Sequence, residues 1–285
     1  KATWQSFDKA NFPFSKWFPK NKANPKAVLI GIHGFSGAAS DFNNLGTYLS
    51  NQNISLYAYE LRGQGNDPDQ SRVGDIASVE HWYKDLNSFI KKVHKEAGDA
   101  PIFLYGESLG SLIIMHGNSY LDESIKETIK GVIYASPLIA LPGELPPVKN
   151  FIVRLAMFLF PKMKISIKSL ASNQNAQVTS ETDHWEQMAK TPHFVPKYTL
   201  RTLGSIEDLV YSSKEVAPRI TKPTLILYPG KDVFTRPDQV DKFFGNLKSK
   251  DKTKHLFKES HHLLAFDKEK ERLFEIVERW INKRL

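Results

Sequence analysis

A serine lies between two glycines in residues 106–110, which read GESLG. The apolar run Ile102 to Tyr105 precedes it, and a helical pattern through Leu112 and Met115 follows. A serine on such a strand-to-helix turn has strained backbone geometry, and flanking glycines relieve crowding with neighbouring segments. The helix directs free N–H groups at negative charge that develops beside the serine. We therefore expect Ser108 to be a nucleophile; the alternative is a turn that only connects.

A serine hydroxyl needs a general base, and the chain has 9 histidines. After this kind of turn, the acid and then the histidine follow in chain order, on loops after late strands. Asp232 follows the apolar run 224–228, and the pair His261 and His262 follows residue 258. Adjacent side chains point apart, so only one histidine can face Ser108, and we favour His262 over His261. By position the weaker candidates for the acid are Asp238, which we expect to be the N-cap of the next helix, Glu259 and Asp267.

These assignments predict a role for each group. His262 takes the proton of Ser108 and returns it to the leaving group, while Asp232 holds the imidazole in one tautomer. Two backbone N–H groups are expected to stabilise the oxyanion: that of Leu109, after the nucleophile, and that of Phe35, on the loop after an early strand. For His33, on the same loop, we expect a ring that hydrogen-bonds the loop and maintains its shape.

Strand-like and helical segments alternate around these residues. Continuous apolar runs typical of strands buried on both faces occur at 27–33, 54–59, 102–105, 131–136 and 224–228, with a further strand expected near 253–258. A helical stripe begins after Ser78 and ends at Gly98. Helices between strands imply right-handed crossovers and an α/β fold with a mostly parallel sheet. No such strand pattern occurs from 137 to about 220, so we predict a core of residues 1–137 and 222–285 with an inserted helical cap, residues 138–221.

Composition limits the classes of function. The chain of 285 residues has no cysteine, which excludes disulfides, thiolate metal sites and a cysteine nucleophile. No spacing suggests a metal site, and we expect no cofactor. No apolar run reaches the roughly 18 residues of a membrane-spanning helix. Because the chain begins with Lys1 and not Met, we expect that something preceding it was removed, and both a cytoplasmic and an exported protein remain open.

The net charge of +8 has three interpretations: a solvated surface, contact with an anionic membrane or substrate, and nucleic-acid binding, of which we favour the first and set aside the last. The positive excess is concentrated near the N-terminus and around an apolar stretch in the cap, at Lys9, Lys16, Lys20, Lys22, Lys26, Lys149, Arg154, Lys162, Lys164 and Lys168. That stretch, 151–160 (FIVRLAMFLF), is either a helix packed between cap and core, or an acyl-chain channel or membrane-touching lid. Three cap aromatics could line a pocket: Trp185, Phe194 and Tyr198.

Taken together, these motifs resemble those of the α/β-hydrolases, and within them the monoacylglycerol lipase, lysophospholipase and serine aminopeptidase branch. The resemblance extends from about Lys26 to the C-terminus and rests on five short motifs: HGF at 33–35, RGQG at 62–65, GESLG at 106–110, GKD at 230–232 and SHH at 260–262. In that branch the last motif places its histidine at His262, with an acidic residue at Asp267.

The resemblance implies a serine hydrolase that cleaves carboxylic esters of lipids, monoacylglycerols or lysophospholipids, through an acyl-serine intermediate. The expected partner is a small lipid or ester substrate, and no nucleic-acid partner is expected. Peripheral contact with an anionic membrane through the cap stays open, on the charge and the apolar stretch described above. Two alternatives stay open: a short-chain carboxylesterase or aminopeptidase with the same catalytic residues, and a non-catalytic ligand-binding protein of the same fold. Oligomeric state is not determined by the sequence.

Overall fold

The computed structural model describes residues 2–19, 24–141, 147–167, 177–181 and 190–285, without the side chains of 147–149. Four residues that the sequence analysis singled out lie outside these ranges: Lys20, Lys22, Lys168 and Trp185.

An 8-stranded sheet forms the centre of the molecule, in the order β1-β2-β4-β3-β5-β6-β9-β10. The six strands from β4 to β10 in that order are parallel, and β1 and β2 form an antiparallel hairpin beside β4. The strands are β1 Ala2–Gln5, β2 Asn11–Trp17, β3 Ala27–Ile32, β4 Ile54–Tyr59, β5 Ile102–Glu107, β6 Ile129–Ala135, β9 Thr224–Pro229 and β10 Lys252–Phe257. The predicted mostly parallel α/β sheet is confirmed.

Helices cover both faces of this sheet. The described helices are α1 Asn43–Asn51, α2 Glu80–Ala97, α3 Leu109–Gly117, α4 Glu123–Thr128, α5 Pro147–Leu159, α6 Leu200–Val216, α7 Pro237–Asn246 and α8 Lys270–Asn282. All of them except α5 contribute buried side chains to the two cores on the sheet. Side chains of α2 and α3 pack with Val28 and Ile30 in one buried cluster, and those of α1 and α8 pack with Leu29 in another. Alternate residues of one strand therefore enter opposite cores, which explains why the parallel strands are continuously apolar.

The N-terminal hairpin of β1 and β2 was not predicted. Phe12 and Phe14 of β2 are buried while Asn11 is exposed, the alternation of a strand with one covered face. Pro13 interrupts this short pattern, which weakened the strand signal. The loop between the two strands is attached to the core by Arg62, whose guanidinium hydrogen-bonds Asp8 at 2.7 Å.

Between β6 and β9 lies the segment predicted as the cap. Its described elements are α5, α6 and a small antiparallel ribbon of β7, Lys164–Ser166, and β8, Lys197–Thr199. Strands of three residues have no room for a periodic pattern, so the ribbon was not predicted. The boundaries 138 and 221 stay a prediction. Among the described residues, no helix combines the length and apolar character needed to cross a membrane.

Candidate active site

Ser108 lies at the turn between β5 and α3 with a φ of +51° and a ψ of −115°. A residue other than glycine rarely adopts a backbone conformation with positive φ, so the surroundings of Ser108 must stabilise it. The turn is held by the Ser108 N–H, which donates to the carbonyl of Ala135 on β6 at 3.0 Å. A Cβ atom at Gly106 would lie 2.6 Å from the Gly110 carbonyl, and one at Gly110 would lie 2.0 Å from the Ile32 carbonyl. Both glycines therefore permit the close packing that the sequence analysis predicted.

The loop after β3 lies directly against this turn. A Cβ atom at Gly34 would be 3.2 Å from the Cβ of Ser108 and 3.8 Å from its Oγ. Phe35, the predicted oxyanion donor, is the next residue. The backbone N–H of Leu109 is the first of α3, where the N–H groups of a helix have no partner within it. The two predicted donors thus belong to segments that meet at Ser108.

His33 fixes the shape of that loop. The backbone N–H of Leu61 donates to its Nε2 at 3.0 Å, so its Nδ1 carries the proton and donates to the Gly34 carbonyl at 2.9 Å. Burial lowers the pKa of His33 to about 4, and the ring is neutral at pH 7. The expected hydrogen bond between ring and loop is confirmed.

Asp232 and His262 meet at the same edge of the sheet. The turn after β9 is joined to the loop after β10 by the N–H of Lys231, which donates to the Ser260 carbonyl at 3.1 Å. Asp232 lies in that turn, and its two carboxylate oxygens are 3.0 and 3.1 Å from Nδ1 of His262. A carboxylate only accepts, so Nδ1 carries the proton and Nε2 is free to accept one. Both side chains are buried, and the ring of Phe234 packs edge-on against the imidazole with centroids 4.7 Å apart.

Two opposing influences set the basicity of His262. Burial by itself lowers the pKa of His262. The carboxylates of Asp232 and, more weakly, Glu107 raise it by a larger amount, so the pKa lies above its ordinary value of 6.5. Glu107 is buried beneath the turn, where desolvation and the nearby Asp41 raise its pKa to about 7. The site therefore favours positive charge on the imidazole, as a general base requires when it takes a proton.

The other candidate acids and the second histidine have different partners. Oδ2 of Asp267 accepts from the backbone N–H of His261 at 2.7 Å and lies 3.0 Å from its Nδ1. Glu259 pairs with Lys231 at 2.8 Å. Asp238 pairs with Arg236 at 3.0 Å in the first turn of α7. Arg236 is the N-cap of that helix, so the expectation that Asp238 would be the cap is wrong.

Ser136 connects the histidine loop to the serine turn, a contact that the sequence analysis did not identify. It directly follows Ala135, whose carbonyl binds Ser108, and its Oγ donates to the His262 carbonyl at 2.6 Å. The φ of Ser136 is +43°, another left-handed conformation. A serine at the end of a strand is an ordinary residue there, so no sequence signal distinguished it. Through this contact Ser108 and His262 are attached to neighbouring positions of β6.

Cap aromatics were proposed as pocket-lining residues, and two of the three are described. Tyr198 is fully buried, with its ring stacked on Phe35 at a centroid distance of 4.1 Å. Phe194 is partly buried in the same cluster. Tyr198 therefore packs against the predicted oxyanion loop.

Comparison with known proteins gives relatives that match most of the chain and include lipases and an esterase. The monoglyceride lipase of Saccharomyces cerevisiae is 26% identical over 302 residues, covering 98% of this chain and 92% of that protein. The monoglyceride lipase of Rattus norvegicus is 24% identical over 249 residues, covering 86% of this chain and 78% of that protein. The carboxylesterase of Bacillus subtilis is 22% identical over 263 residues, covering 92% of this chain and 94% of that protein.

Solved structures agree on the fold. A soluble variant of the Saccharomyces cerevisiae monoglyceride lipase, in complex with a substrate analog, superimposes with a TM-score of 0.83 at 20% identity, covering 99% of this chain and 94% of that one. The monoacylglycerol lipase of Paleococcus ferrophilus gives a TM-score of 0.79 at 22% identity, covering 97% of this chain and 100% of that one.

The family described as serine aminopeptidase, S33 matches residues 23–269, which include the serine turn, the loop after β3, Asp232 and His262. The predicted resemblance is thereby confirmed, and the chain belongs to this family of α/β-hydrolases.

Proposed function

We propose that this protein is a serine hydrolase that cleaves carboxylic esters of lipids, with Ser108, His262 and Asp232 as its catalytic residues. The observation that carries the proposal is the pairing of His262 Nδ1 with Asp232 at 3.0 Å, at the sheet edge where Ser108 occupies its strained turn. Because the tautomer leaves Nε2 unprotonated, the imidazole is ready to accept the hydroxyl proton of a serine.

The reaction proceeds in two halves. Oγ of Ser108 attacks the acyl carbon while His262 takes its proton, and the carbonyl oxygen becomes an oxyanion that accepts from the N–H groups of Phe35 and Leu109. The C–O bond to the alcohol breaks, and His262 gives its proton to the departing oxygen. Water then attacks the acyl-serine ester, with the same proton transfer through His262, and releases the carboxylic acid and free Ser108.

A lipidic substrate is favoured by the relatives, which include the monoglyceride lipases of Saccharomyces cerevisiae and Rattus norvegicus. A bacterial carboxylesterase among them and the aminopeptidase description of the family support the alternatives. A panel of substrates distinguishes these: monoacylglycerols and lysophospholipids of graded chain length, short p-nitrophenyl esters and aminoacyl amides. We expect the highest kcat/KM on a long- or medium-chain monoacylglycerol or lysophospholipid. A higher value on short esters or amides would overturn the lipid assignment.

A fluorophosphonate probe tests the nucleophile. It should label the native protein and should not label Ser108→Ala, and the same substitution should abolish ester hydrolysis. Ser111→Ala is the matched control, because Ser111 is also buried in the first turn of α3 but donates to the Gly106 carbonyl at 2.7 Å. Persistent labelling of Ser108→Ala would exclude Ser108 as the nucleophile. Absence of labelling and turnover in the native protein would favour the non-catalytic alternative.

We also propose that the outer face of α5 touches the membrane. Its exposed apolar side chains, with the two that follow the helix, are Phe151, Ile152, Leu155, Phe158, Leu159, Phe160 and Met163. Phe158 is 81% exposed, which argues against a helix packed between cap and core. The helix is attached to α6 by Arg154, whose guanidinium pairs with Glu207 at 2.9 Å and Asp208 at 2.6 Å, and by Met157, whose Sδ would lie 2.8 Å from a Cβ atom at Gly204. An exposed apolar face of this size is typical of an interaction surface.

The two described lysines that lie beside this face differ in their contacts. Lys162 is exposed, whereas the ammonium of Lys164 donates to the carbonyl of Val73 at 2.8 Å. Both lie where an anionic headgroup could pair with them when α5 lies on a membrane.

Vesicle sedimentation tests this surface. Phe158→Ser should weaken binding to phosphatidylcholine vesicles with or without phosphatidylserine. Lys162→Gln should weaken only the binding to anionic vesicles, on the order of five-fold, and added salt should do the same. Phe18→Ser, which alters an aromatic side chain 42% exposed beyond β2, is the control. No binding of the native protein at low salt would reject the membrane proposal and leave the hydrolase proposal untouched.

A further inference from the structure

A buried tyrosine of the predicted cap is hydrogen-bonded to the loop that carries the Phe35 N–H. The hydroxyl of Tyr198, on β8, is 2.7 Å from Oε1 of Gln64 and 3.0 Å from Oγ of Ser36. The backbone N–H of Ser36 donates to the same Oε1 at 2.9 Å. Tyr198 and Gln64 are both buried, and the Tyr198 ring stacks on Phe35. Three segments distant in sequence therefore converge on the residue after Phe35.

The direction of each hydrogen bond follows from the donors present. Oε1 of Gln64 is an amide oxygen and only accepts, so the Tyr198 hydroxyl donates to it. The single proton of that hydroxyl is then used, and Ser36 Oγ must be the donor in its contact with Tyr198. The amide of Gln64 has a fixed orientation for the same reason, because its oxygen must face the Ser36 N–H.

This network holds a strained residue. The φ of Ser36 is +55°, a left-handed conformation that costs a non-glycine residue about 1–2 kcal/mol. Such a conformation persists only where the surroundings determine it, and here the hydrogen bonds to Gln64 and Tyr198 do so. Loss of the Tyr198 hydroxyl leaves Ser36 Oγ without this acceptor and weakens the constraint on the turn.

Phe35 lies between two anchored peptide planes. The plane before it ends in the Gly34 carbonyl, which accepts from Nδ1 of His33 at 2.9 Å. The plane after it ends in the Ser36 N–H, which Gln64 holds. In a trans peptide the C=O and N–H point in opposite directions, so the His33 bond also directs the Phe35 N–H away from that ring. The Phe35 N–H lies in the first plane, so movement of the second plane affects this donor by displacing the Cα of Phe35, which the two planes share.

Tyr198 is itself held firmly by the core. The backbone N–H of Thr199 donates to the Gly74 carbonyl at 2.8 Å, and its Oγ1 donates to Asp75 at 2.7 Å. A Cβ atom at Gly65 would lie 1.7 Å from the carbonyl of His193, so the loop of residues 62–65 and the segment before β8 are in direct backbone contact. The RGQG motif, which the sequence analysis treated as a tight loop, forms the surface on which this part of the cap rests.

We propose that Tyr198 is a positioning residue for the oxyanion donor: its hydroxyl, through Ser36 and Gln64, holds the Phe35 N–H in the orientation that binds the developing oxyanion. The inference rests on the proposed function, because it assigns Phe35 to the oxyanion site. It implies that the cap supplies part of the catalytic geometry, in addition to any role in substrate choice. Tyr198 does not touch the reacting atoms in this account and acts only through the loop.

The test is Tyr198→Phe, which removes one oxygen atom and keeps the stacked ring. Full loss of an oxyanion donor costs about 10²–10³-fold in kcat, and a misaligned donor should cost less, on the order of 10-fold. KM should change little, because the donor acts on the transition state. Binding of a boronic acid that forms a tetrahedral adduct with Ser108 should weaken in parallel with kcat. Binding of an uncleavable ether analogue of the substrate should not change.

Two further variants make the outcome interpretable. Tyr211→Phe, on α6 and 44% exposed, removes a hydroxyl from the same part of the chain and should leave kcat unchanged. The double variant Ser36→Ala/Tyr198→Phe should be no slower than Tyr198→Phe, because both changes disrupt the same network. The melting temperature of each variant establishes that it is folded.

Several outcomes would overturn the inference. A kcat of folded Tyr198→Phe within two-fold of native would do so, as would equal weakening of boronic acid and ether binding, which would assign Tyr198 to the substrate pocket. If Ser108→Ala abolishes hydrolysis while Tyr198→Phe does not slow it, this inference fails and the proposed function stands. If Ser108→Ala retains activity, both fail.

Discussion

The two sides of the candidate site are held by different forces. On the histidine side, the loop after β10 is fixed by two buried carboxylates, Asp232 on the ring of His262 and Asp267 on the backbone and ring of His261. On the oxyanion side, the contacts of Phe35 and Ser36 are with neutral groups, the ring and hydroxyl of Tyr198 and the Gln64 amide. Carboxyl groups bind this loop only farther along, where Asp41 accepts from the Ala38 N–H at 2.8 Å and Glu60 accepts from the Ala39 N–H at 3.2 Å. The histidine must gain a positive charge during the reaction and benefits from nearby anions, whereas anions beside the oxyanion donors would oppose the charge that forms there.

Both sides nevertheless depend on the predicted cap. On the histidine side, the N–H of Leu263 donates to the Val178 carbonyl at 2.9 Å, and Ser180 donates its N–H to Asp267 at 3.0 Å. On the oxyanion side the contact is Tyr198. The described base of the cap is thus buried against the site, while the outer face of α5 is exposed. The difference indicates that the base of the cap orders the site and that α5 is available for other contacts.

The largest expected effect distinguishes the two adjacent histidines. His262→Ala should lower kcat on the order of 10⁴-fold, because the base that activates Ser108 is lost. His261→Ala should stay within about ten-fold of native, since the backbone N–H at that position still donates to Asp267. Steady-state hydrolysis of the preferred ester measures both. Equal losses, or a larger loss for His261→Ala, would reverse the assignment.

The next effect tests the role of charge on the histidine side. Asp232→Asn should lower kcat by about 10²–10⁴-fold, because the amide no longer stabilises the imidazolium or its tautomer. The native kcat/KM should fall as the pH drops through the raised pKa of His262, above 6.5, since only the neutral ring is a base. Removal of the Asp232 charge lowers that pKa, so the acidic limb of the variant should move to lower pH.

Tyr198→Phe tests the oxyanion side of the site. The substitution changes no charge. The kcat/KM of the variant should therefore fall at the same pH as that of the native protein, but from a lower maximum. A shift of the midpoint in Tyr198→Phe, or no shift in Asp232→Asn, would contradict the assignment of the charged partner of the reacting histidine to Asp232 and of a neutral positioning role to Tyr198.

A further prediction concerns stability, with no large effect expected on catalysis. Asp267 accepts three backbone N–H groups and the hydroxyl of Ser180, and these bonds outweigh burial and lower its pKa. Asp267→Asn turns one acceptor into a donor facing N–H groups and should cost about 2–3 kcal/mol in the free energy of unfolding, measured in urea at pH 7. Asp238→Asn, at the exposed pair with Arg236, is the control and should leave the urea midpoint unchanged.

The pH dependence of this stability effect has a definite sign. A carboxyl whose pKa is lowered in the folded state stabilises it fully above the unfolded value of about 3.9, and the contribution is lost as pH falls toward the folded value. The stability difference between native protein and Asp267→Asn should therefore be constant near neutral pH and shrink below about pH 4. A difference that grows with acidity would contradict this account of Asp267.

The parallel strands, the serine turn and the order of acid and histidine were all predictable from the sequence. Strands buried on both faces contain continuous apolar runs, such as 27–32 and 102–105, because every side chain of the run enters a core. Such a run can be recognised from consecutive residues alone. Gly106 and Gly110 are equally readable, because the close backbone contacts of the turn exclude any side chain there. Shorter or interrupted strands, β2 with its proline and β7 with β8, have too few residues for a pattern.

Position along the chain favoured Asp232 as the acid and His262 as the histidine, but the tertiary structure was needed to show that the two side chains meet and what supports them. Their contact depends on the hydrogen bonds that join the loops after β9 and β10. The contact of Ser136 with the His262 carbonyl joins residues that are 126 positions apart in the sequence. The contact of Tyr198 with Ser36 joins residues that are 162 positions apart. No local pattern encodes such pairs, because their energy arises from burial and directional hydrogen bonding that exist only once the segments have packed together.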